Sequence, residues 1–552
     1  MRWHHLTTAI LAGFATTSAA APSARGVPTV TLDQGTFTGA ADGVANKFLG
    51  IPFAHPPTGD LRFRLPVAND PYTGTHDATA FGLSCSQQGV SLSIPSSIVS
   101  NITDFLVNTV IDVVVPSGED CLTLNVWTPA GVAAGTKLPV VVWIFGGGFE
   151  IGSTSTYDGG VIVSRSVDLG KPVVYVSMNY RISALGFLAS QEVKDAGVGN
   201  LGLQDRASTS RPQRPPKWTS SSRCTRKTRP RARRSTRASS MCCHHSSSGS
   251  QPCKATSSSK LPDGSSCPIR PASRTHGLSV RISYRTLPIS WSTPSSTSRC
   301  LLGKTVGCCQ ICFGPSTDIL SRQSLDLAWT PRADGVFLAD DPQVLVQQGS
   351  VANIPFVTGN CDDEGTLFSI SLLNITTEAE LRSYLAKFYL PTATSAEVDQ
   401  LLKLYPQDPT QGSPFDTGLH NVLSPQFKRL AALQGDLVFQ APRRLLLSHT
   451  SSKQNTWSFL NKRLKLTPGL GSAHSTDLLN VYTGGDMAVY LINFANHFDP
   501  NGSGLLSWPK YTTSSPRLLT FLDGPIPLEI SQDTYRTDAM NFLTQLSLEA
   551  PL

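Results

Sequence analysis

No stretch of this 552-residue chain reaches the roughly 18 consecutive apolar residues of a membrane-spanning helix, so a helical membrane span is not expected. Acid is all but missing from one block: between Ala207 and Ser316 a single acidic residue, Asp263, stands against 19 Lys and Arg. The overall charge of +7 is therefore misleading, because the rest of the chain holds 27 basic and 38 acidic residues. Cysteine is scarce elsewhere, with nine of the twelve inside that block and only Cys85, Cys121 and Cys361 outside it. Within the block, "RASTSRPQRPPKWTSSSRCTRKTRPRARRSTRASSMCCHHSSSGSQPC" (206–253) has no apolar repeat at 3.6 or 2.0 residues, which excludes a buried sheet. Its composition predicts disorder from Ala207 to about residue 328.

Over the whole chain an apolar content of 40% is ample for a packed core, in one large α/β domain or several small ones. The start, "MRWHHLTTAILAGFATTSAAAPSARG", has a basic end, an apolar run from Leu6 to Ala15 and small residues around Ala19 to Ala21. That is the pattern of a cleaved signal over residues 1–20, and a secreted, soluble protein is expected. Sequons at Asn101, Asn374 and Asn501 agree with that route as glycosylation candidates. "KLPVVVWIFGGG" (137–148) and "KPVVYVSMNYR" (171–181) read as buried strands of a largely parallel sheet. "TEAELRSYLAKFY" (377–389) and "PQFKRLAALQGDLVFQAPRRLLLSH" (425–449) read as helices, and the mixture argues for a doubly wound α/β sheet.

Three phrases, "FLGIPFAHPPTGDLRFRLP" (48–66), "EDCLTLNVWTP" (119–129) and "WIFGGGFEIGS" (143–153), are followed by "NYRISALGFL" and "GNLGLQDR". Together they closely resemble the type B carboxylesterase and lipase family, which includes the cholinesterases, and within it the secreted fungal lipases with a lid. The resemblance is collinear over residues 27–206 and 330–552, and the phrases taken together are highly specific. It implies an α/β-hydrolase fold over residues 21–552, with a mixed, mostly parallel sheet flanked by helices. It also implies carboxylic ester hydrolysis by Ser–His–Glu acyl transfer, with no metal or cofactor.

The residues support parts of that chemistry on their own terms. Successive glycines after a strand leave N–H groups uncovered by side chains and free to meet a developing oxyanion, which makes Gly147 and Gly148 the oxyanion-hole candidates. "VTGNCDDEGTLFS" (357–369) matches the family phrase for the acid and places that role on Glu364. "LGSAHSTDLLNVY" (470–482) matches the histidine phrase and makes His474 the general base, in the Ser…Asp/Glu…His order of the fold. In a secreted chain Cys85 and Cys121, which bracket 35 residues, are expected to pair. Between them Ile98, Ile102, Phe105, Leu106 and Val110 make one apolar stripe at helical spacing. It is either an ordinary core helix or, as the resemblance implies, a movable lid that opens on an apolar ester and touches a lipid interface.

The nucleophile is what the sequence does not contain. No Gly-X-Ser-X-Gly pentapeptide occurs anywhere in the chain, and the family position for it falls inside "RPRARRSTRAS" (229–239), which has no glycine and no preceding strand. The resemblance stops at Arg206 and resumes near "PRADGVFLADDP" (331–342) after about the expected number of residues. A collinear gap of the right length with foreign composition is what a shifted or mis-spliced reading frame produces. The alternatives fit less well. Basicity in the block would suit nucleic acid, for which a secreted protein has little use, and "MCCHH" (241–245) lacks the spacing by which paired ligands chelate zinc. No metal and no nucleic-acid partner are expected; the substrate is a small-molecule or lipid ester. The chain as written is expected to be inactive, and the alternative function is a non-catalytic, cholinesterase-like binding or adhesion protein, or a non-functional gene product.

Overall fold

The structure is a computed structural model and describes residues 26–87, 115–133, 135–208 and 325–550. The expected signal, Asn101, the stripe from Ile98 to Val110, "MCCHH" and all but the two ends of the 207–328 block lie outside the described residues.

In the first half the strands are β1 (Thr29–Leu32), β2 (Gln34–Thr38), β3 (Ala40–Asp42), β4 (Ala45–Pro52), β5 (Thr73–Asp77), β6 (Ser84–Cys85), β7 (Ser117–Gly118), β8 (Thr123–Pro129), β9 (Val140–Trp143) and β10 (Val174–Met178). In the second half they are β11 (Phe356–Cys361), β12 (Thr456–Asn461), β13 (Arg517–Phe521) and β14 (Leu528–Gln532). Two sheets carry the architecture: a five-stranded one in the order β3-β4-β8-β10-β9, and a four-stranded one in the order β11-β12-β13-β14. The sheets are mixed, with parallel pairing where it matters for the site: β9 with β10, and β11 with β12 and then β13.

Position in the sheet decides burial. β13 lies between two partners and buries four of its five residues. β9 is a run of Val-Val-Val-Trp that reads as a buried strand, yet it is an edge, with Val140 56%, Val142 50% and the following Ile144 42% exposed. The expectation of burial fails there because β10 is its only partner among the described residues.

The two helical segments form as their patterns require. Helix Glu378–Phe388 starts at a reciprocal cap, in which Thr377 Oγ1 accepts from Glu380 N–H (3.2 Å) and Glu380 Oε2 from Thr377 N–H (3.0 Å). Its Leu381, Tyr384 and Leu385 are buried. The longer segment runs as helix Phe427–Gly435, a π turn Asp436–Gln440 and helix Ala441–Thr450. A π turn widens the helix by one residue and re-aims its side chains.

The two chain stretches that flank the basic block are joined to each other. Asn200 Nδ2 donates to Arg332 O and Asp334 Oδ2 (both 2.8 Å), and Asn200 Oδ1 accepts from Arg332 N–H (3.0 Å). Just before the block, Arg181 and Asp205 form a buried two-pronged ion pair, with Nη2 to Oδ1 at 2.6 Å and Nε to Oδ2 at 2.9 Å. At its far end Leu325 is buried in the largest apolar cluster.

Candidate active site

The candidate acid is built by the turn that leaves β11. Glu364 is buried, and its Oε1 accepts from Cys361 N–H at 2.7 Å, which fixes the carboxylate against the end of its own strand. Its Oε2 lies 2.6 Å from His474 Nδ1, across 110 residues of sequence. An ionised carboxylate can only accept, so Nδ1 carries the proton and Nε2 is left as the proton acceptor.

The histidine sits in the loop Gly471–Ser475, where Ser475 holds φ +69° and opens helix Thr476–Tyr482. Its ring lies against Phe368 (5.3 Å between centroids) and Phe439 (4.8 Å), the latter supplied by the π turn, and its side chain is 34% exposed. One flank is therefore apolar while part of the ring stays reachable. Burial by itself pushes the imidazole down, but the charge and hydrogen bond of Glu364, with Asp477 behind, outweigh it and raise its pKa above the ordinary histidine value.

Three neighbours have no role assigned to them from sequence. Asp477, three residues past His474, is pushed upward by burial and by the Glu364 charge. Cys361 is a free, buried thiol whose Sγ lies 3.4 Å from Thr476 Oγ1 and 3.5 Å from Asp477 Oδ1; burial, with Asp477 and Glu364, pushes it well up and keeps it a neutral thiol. Asp363 binds the histidine loop through its main chain and carboxylate. Adjacency to Glu364 or His474 was the only signal in the sequence for any of them, and their roles depend on which way each side chain points.

The glycine loop follows β9. Gly147 has φ +115° and a Cβ there would lie 2.2 Å from Ile151 O, so only glycine fits. Gly148 has φ +61°, and neither N–H donates to an acceptor among the described residues. Phe149 itself holds φ +62°, an outlier for an aromatic residue, and is retained by the Phe187 ring (5.0 Å) and by Ser183 N–H on its carbonyl (2.7 Å). Backbone strain kept in place by packing is typical of a working loop. Ile151 packs on the apolar cluster that also contains Phe368 and Ala473, the neighbours of His474.

Cys85 and Cys121 form a disulfide. Of the other two sequons, Asn374 is exposed, whereas the Asn501 amide is engaged: Nδ2 donates to Asp499 Oδ1 (2.8 Å) and Trp508 O (3.0 Å), and Oδ1 accepts from Trp508 N–H (2.7 Å). No group of three His, Cys, Asp or Glu among the described residues could hold a metal ion.

The model of the carboxylesterase family matches residues 26–209 and so ends where the basic block begins. Lipase 2 of Diutina rugosa is 36% identical over 94% of this chain and 96% of its own length. The secreted triacylglycerol lipase LIP1 of Gibberella zeae is 33% identical over 93% of this chain and 90% of its own. A crystal structure of Aspergillus niger EstA, 18% identical, superposes with a TM-score of 0.63 over 95% of this chain and 99% of that one, which gives the α/β-hydrolase fold. On these likenesses the chain belongs to the carboxylesterase family.

Proposed function

We propose that the intact form of this protein is a secreted carboxylic ester hydrolase that works by Ser–His–Glu acyl transfer, and that the chain as written is inactive because its nucleophile is missing. The observation that carries the reading is the 2.6 Å contact of His474 Nδ1 with Glu364 Oε2. In the intact enzyme a serine hydroxyl attacks the ester carbonyl while His474 Nε2 takes its proton, and Glu364 stabilises the imidazolium. The N–H groups of Gly147 and Gly148 hold the oxyanion. His474 then returns the proton to the departing alcohol, leaving an acyl-serine. Water, deprotonated by the same nitrogen, attacks that ester; the acid leaves and serine recovers its proton.

Residues 207 to about 328 are, in this reading, a frameshifted or mis-spliced translation. At the far end of that block Leu325 is buried and Ala328 N–H donates to Glu150 Oε1 (3.2 Å), so its last residues pack with the family-like chain. The open, apolar edge of β9 supports it, since Val140 and Val142 would be covered by a further strand and its helix. The lipase names of the relatives favour an acyl-lipid substrate reached through a lid between Cys85 and Cys121, and the exposed Asn374 suits a glycan.

The test is the transcript across codons 200–335, read in three frames. A frame that spells a strand, Gly-X-Ser-X-Gly and a helix is expected; a confirmed frame with no such motif would hand the chain to the non-catalytic reading. On the protein itself, an organophosphonate should label no serine of the chain as written, and a labelled serine would refute its inactivity.

A further inference from the structure

Asp363 precedes Glu364 in sequence but serves the backbone, not the imidazole. Its carboxylate is wholly buried, and a buried carboxylate persists only when its oxygens are paired. Four donors from three segments reach it. Oδ1 accepts from Ser413 Oγ–H (3.0 Å) and Phe415 N–H (2.7 Å); Oδ2 accepts from Ser472 N–H (2.8 Å) and Lys465 Nζ (2.7 Å). The Asp363 N–H donates in turn to Ser472 O (3.0 Å), and Asp363 pairs with Ala473 in a parallel bridge. Ser472 and Ala473 are the two residues before His474. Gly471, at φ +61°, makes room for the approach: a Cβ there would lie 2.3 Å from Asp363 Oδ2.

Two successive carboxylates therefore hold one histidine at two levels, Glu364 on the ring and Asp363 on the main chain that presents it. Catalytic groups need their geometry kept to about half an ångström, more than a single ring contact secures. We propose that Asp363 is a positioning residue, a clamp between the acid turn and the histidine loop that keeps His474 Nδ1 within reach of Glu364. The use made of this geometry rests on the esterase reading; the clamp itself does not.

The test is made on the full chain as written, labelled at histidine and followed by NMR. The charged groups that raise His474 are Glu364 and Asp477, and Asp363 is not among them, so a loosened loop is what moves the titration. Asp363→Asn presents an NH2 group to donors and opens the clamp. His474 should then titrate about one unit lower, a tenfold change in its acid constant, and approach its behaviour in Glu364→Gln. Lys465→Met removes a neighbouring charge but leaves both main-chain bonds, and the titration should hold. An unmoved His474 in Asp363→Asn, or an equal shift in Lys465→Met, overturns the proposal. Should Asp363→Asn not fold, hydrogen exchange in the unsubstituted chain decides. The Ser472 amide should exchange as slowly as the Cys361 amide, and rapid exchange overturns the clamp. Neither readout needs turnover, so a negative transcript result leaves the clamp standing, and a failed clamp leaves the esterase reading standing.

Discussion

The loop side of β11 and β12 is finished, whereas the edge of β9 is not. Beyond β11, Asp363 has both carboxylate oxygens engaged and Glu364 is held at each oxygen, one by Cys361 N–H and one by His474. Beyond β9 the strained glycine loop is in place, but the strand beneath it leaves Val140 and Val142 about half exposed. The difference teaches which parts of such a site are self-contained. The candidate acid and base, Glu364 and His474, are fixed by bonds among their own two loops, so they form from segments that both follow residue 330. On the esterase reading, the oxyanion side depends on what lies against β9, and the nucleophile depends on it entirely.

The largest expected effect separates the two sides outright. In a frame-restored chain, His474→Ala should lower kcat by about 10^6 and Glu364→Gln by about 10^4, measured on a soluble chromogenic ester. A loss of under tenfold in either would mean that the finished side is not the acid–base pair. Gly147→Ala comes next. With a 2.2 Å clash on Ile151 O it should displace the loop and cost about 10^2 to 10^3 in kcat in that same chain.

Stability measurements sharpen the comparison further. Cys85→Ser, which opens a loop whose ends are 36 residues apart, should cost about 3–4 kcal/mol in denaturant unfolding. Val142→Asn should change the chain as written by no more than about 0.5 kcal/mol, as at any exposed site, yet cost about 3 kcal/mol once a restored strand and helix cover it. Equal costs in the two chains would show that β9 is not the edge at which the missing strand belongs. The smallest effect is in pH. His474 has a raised folded pKa, so its pairing contributes stability that is complete below the unfolded value near 6.5 and lost as pH rises through the folded value. Melting temperatures between about pH 5 and 8 should show that fall in the unsubstituted chain and a weaker one in Glu364→Gln.

Much of this was legible without coordinates. Gly147 and Gly148, Glu364 and His474 each stand in a phrase long enough to be specific, and Cys85 and Cys121 form the disulfide that their setting suggested. β9 was misread as buried because an apolar run reports what a strand is fit for, and not whether a neighbour covers it. The Asn501 sequon fits the same Asn-X-Ser/Thr pattern as Asn374, yet its amide is spent on Trp508 and Asp499. Asp363 and Asp477 carry no mark in the sequence, and the setting of Cys361 is not given by it, because composition and spacing give no direction to a side chain.

By itself the sequence determined the order and type of the candidate reacting groups, the junction at Arg206 and the absence of a Gly-X-Ser-X-Gly pentapeptide, since each is a matter of which letters follow which. Tertiary structure decided that Glu364 and His474 meet. Parallel pairing of β11 with β12, Cys361 opposite Asn461, brings the carboxyl ends of two strands side by side, and the two loops that leave them close 110 residues of separation to 2.6 Å. That step is one of geometry, because a hydrogen bond depends on distance and angle, and a linear chain specifies neither until its strands have found their register.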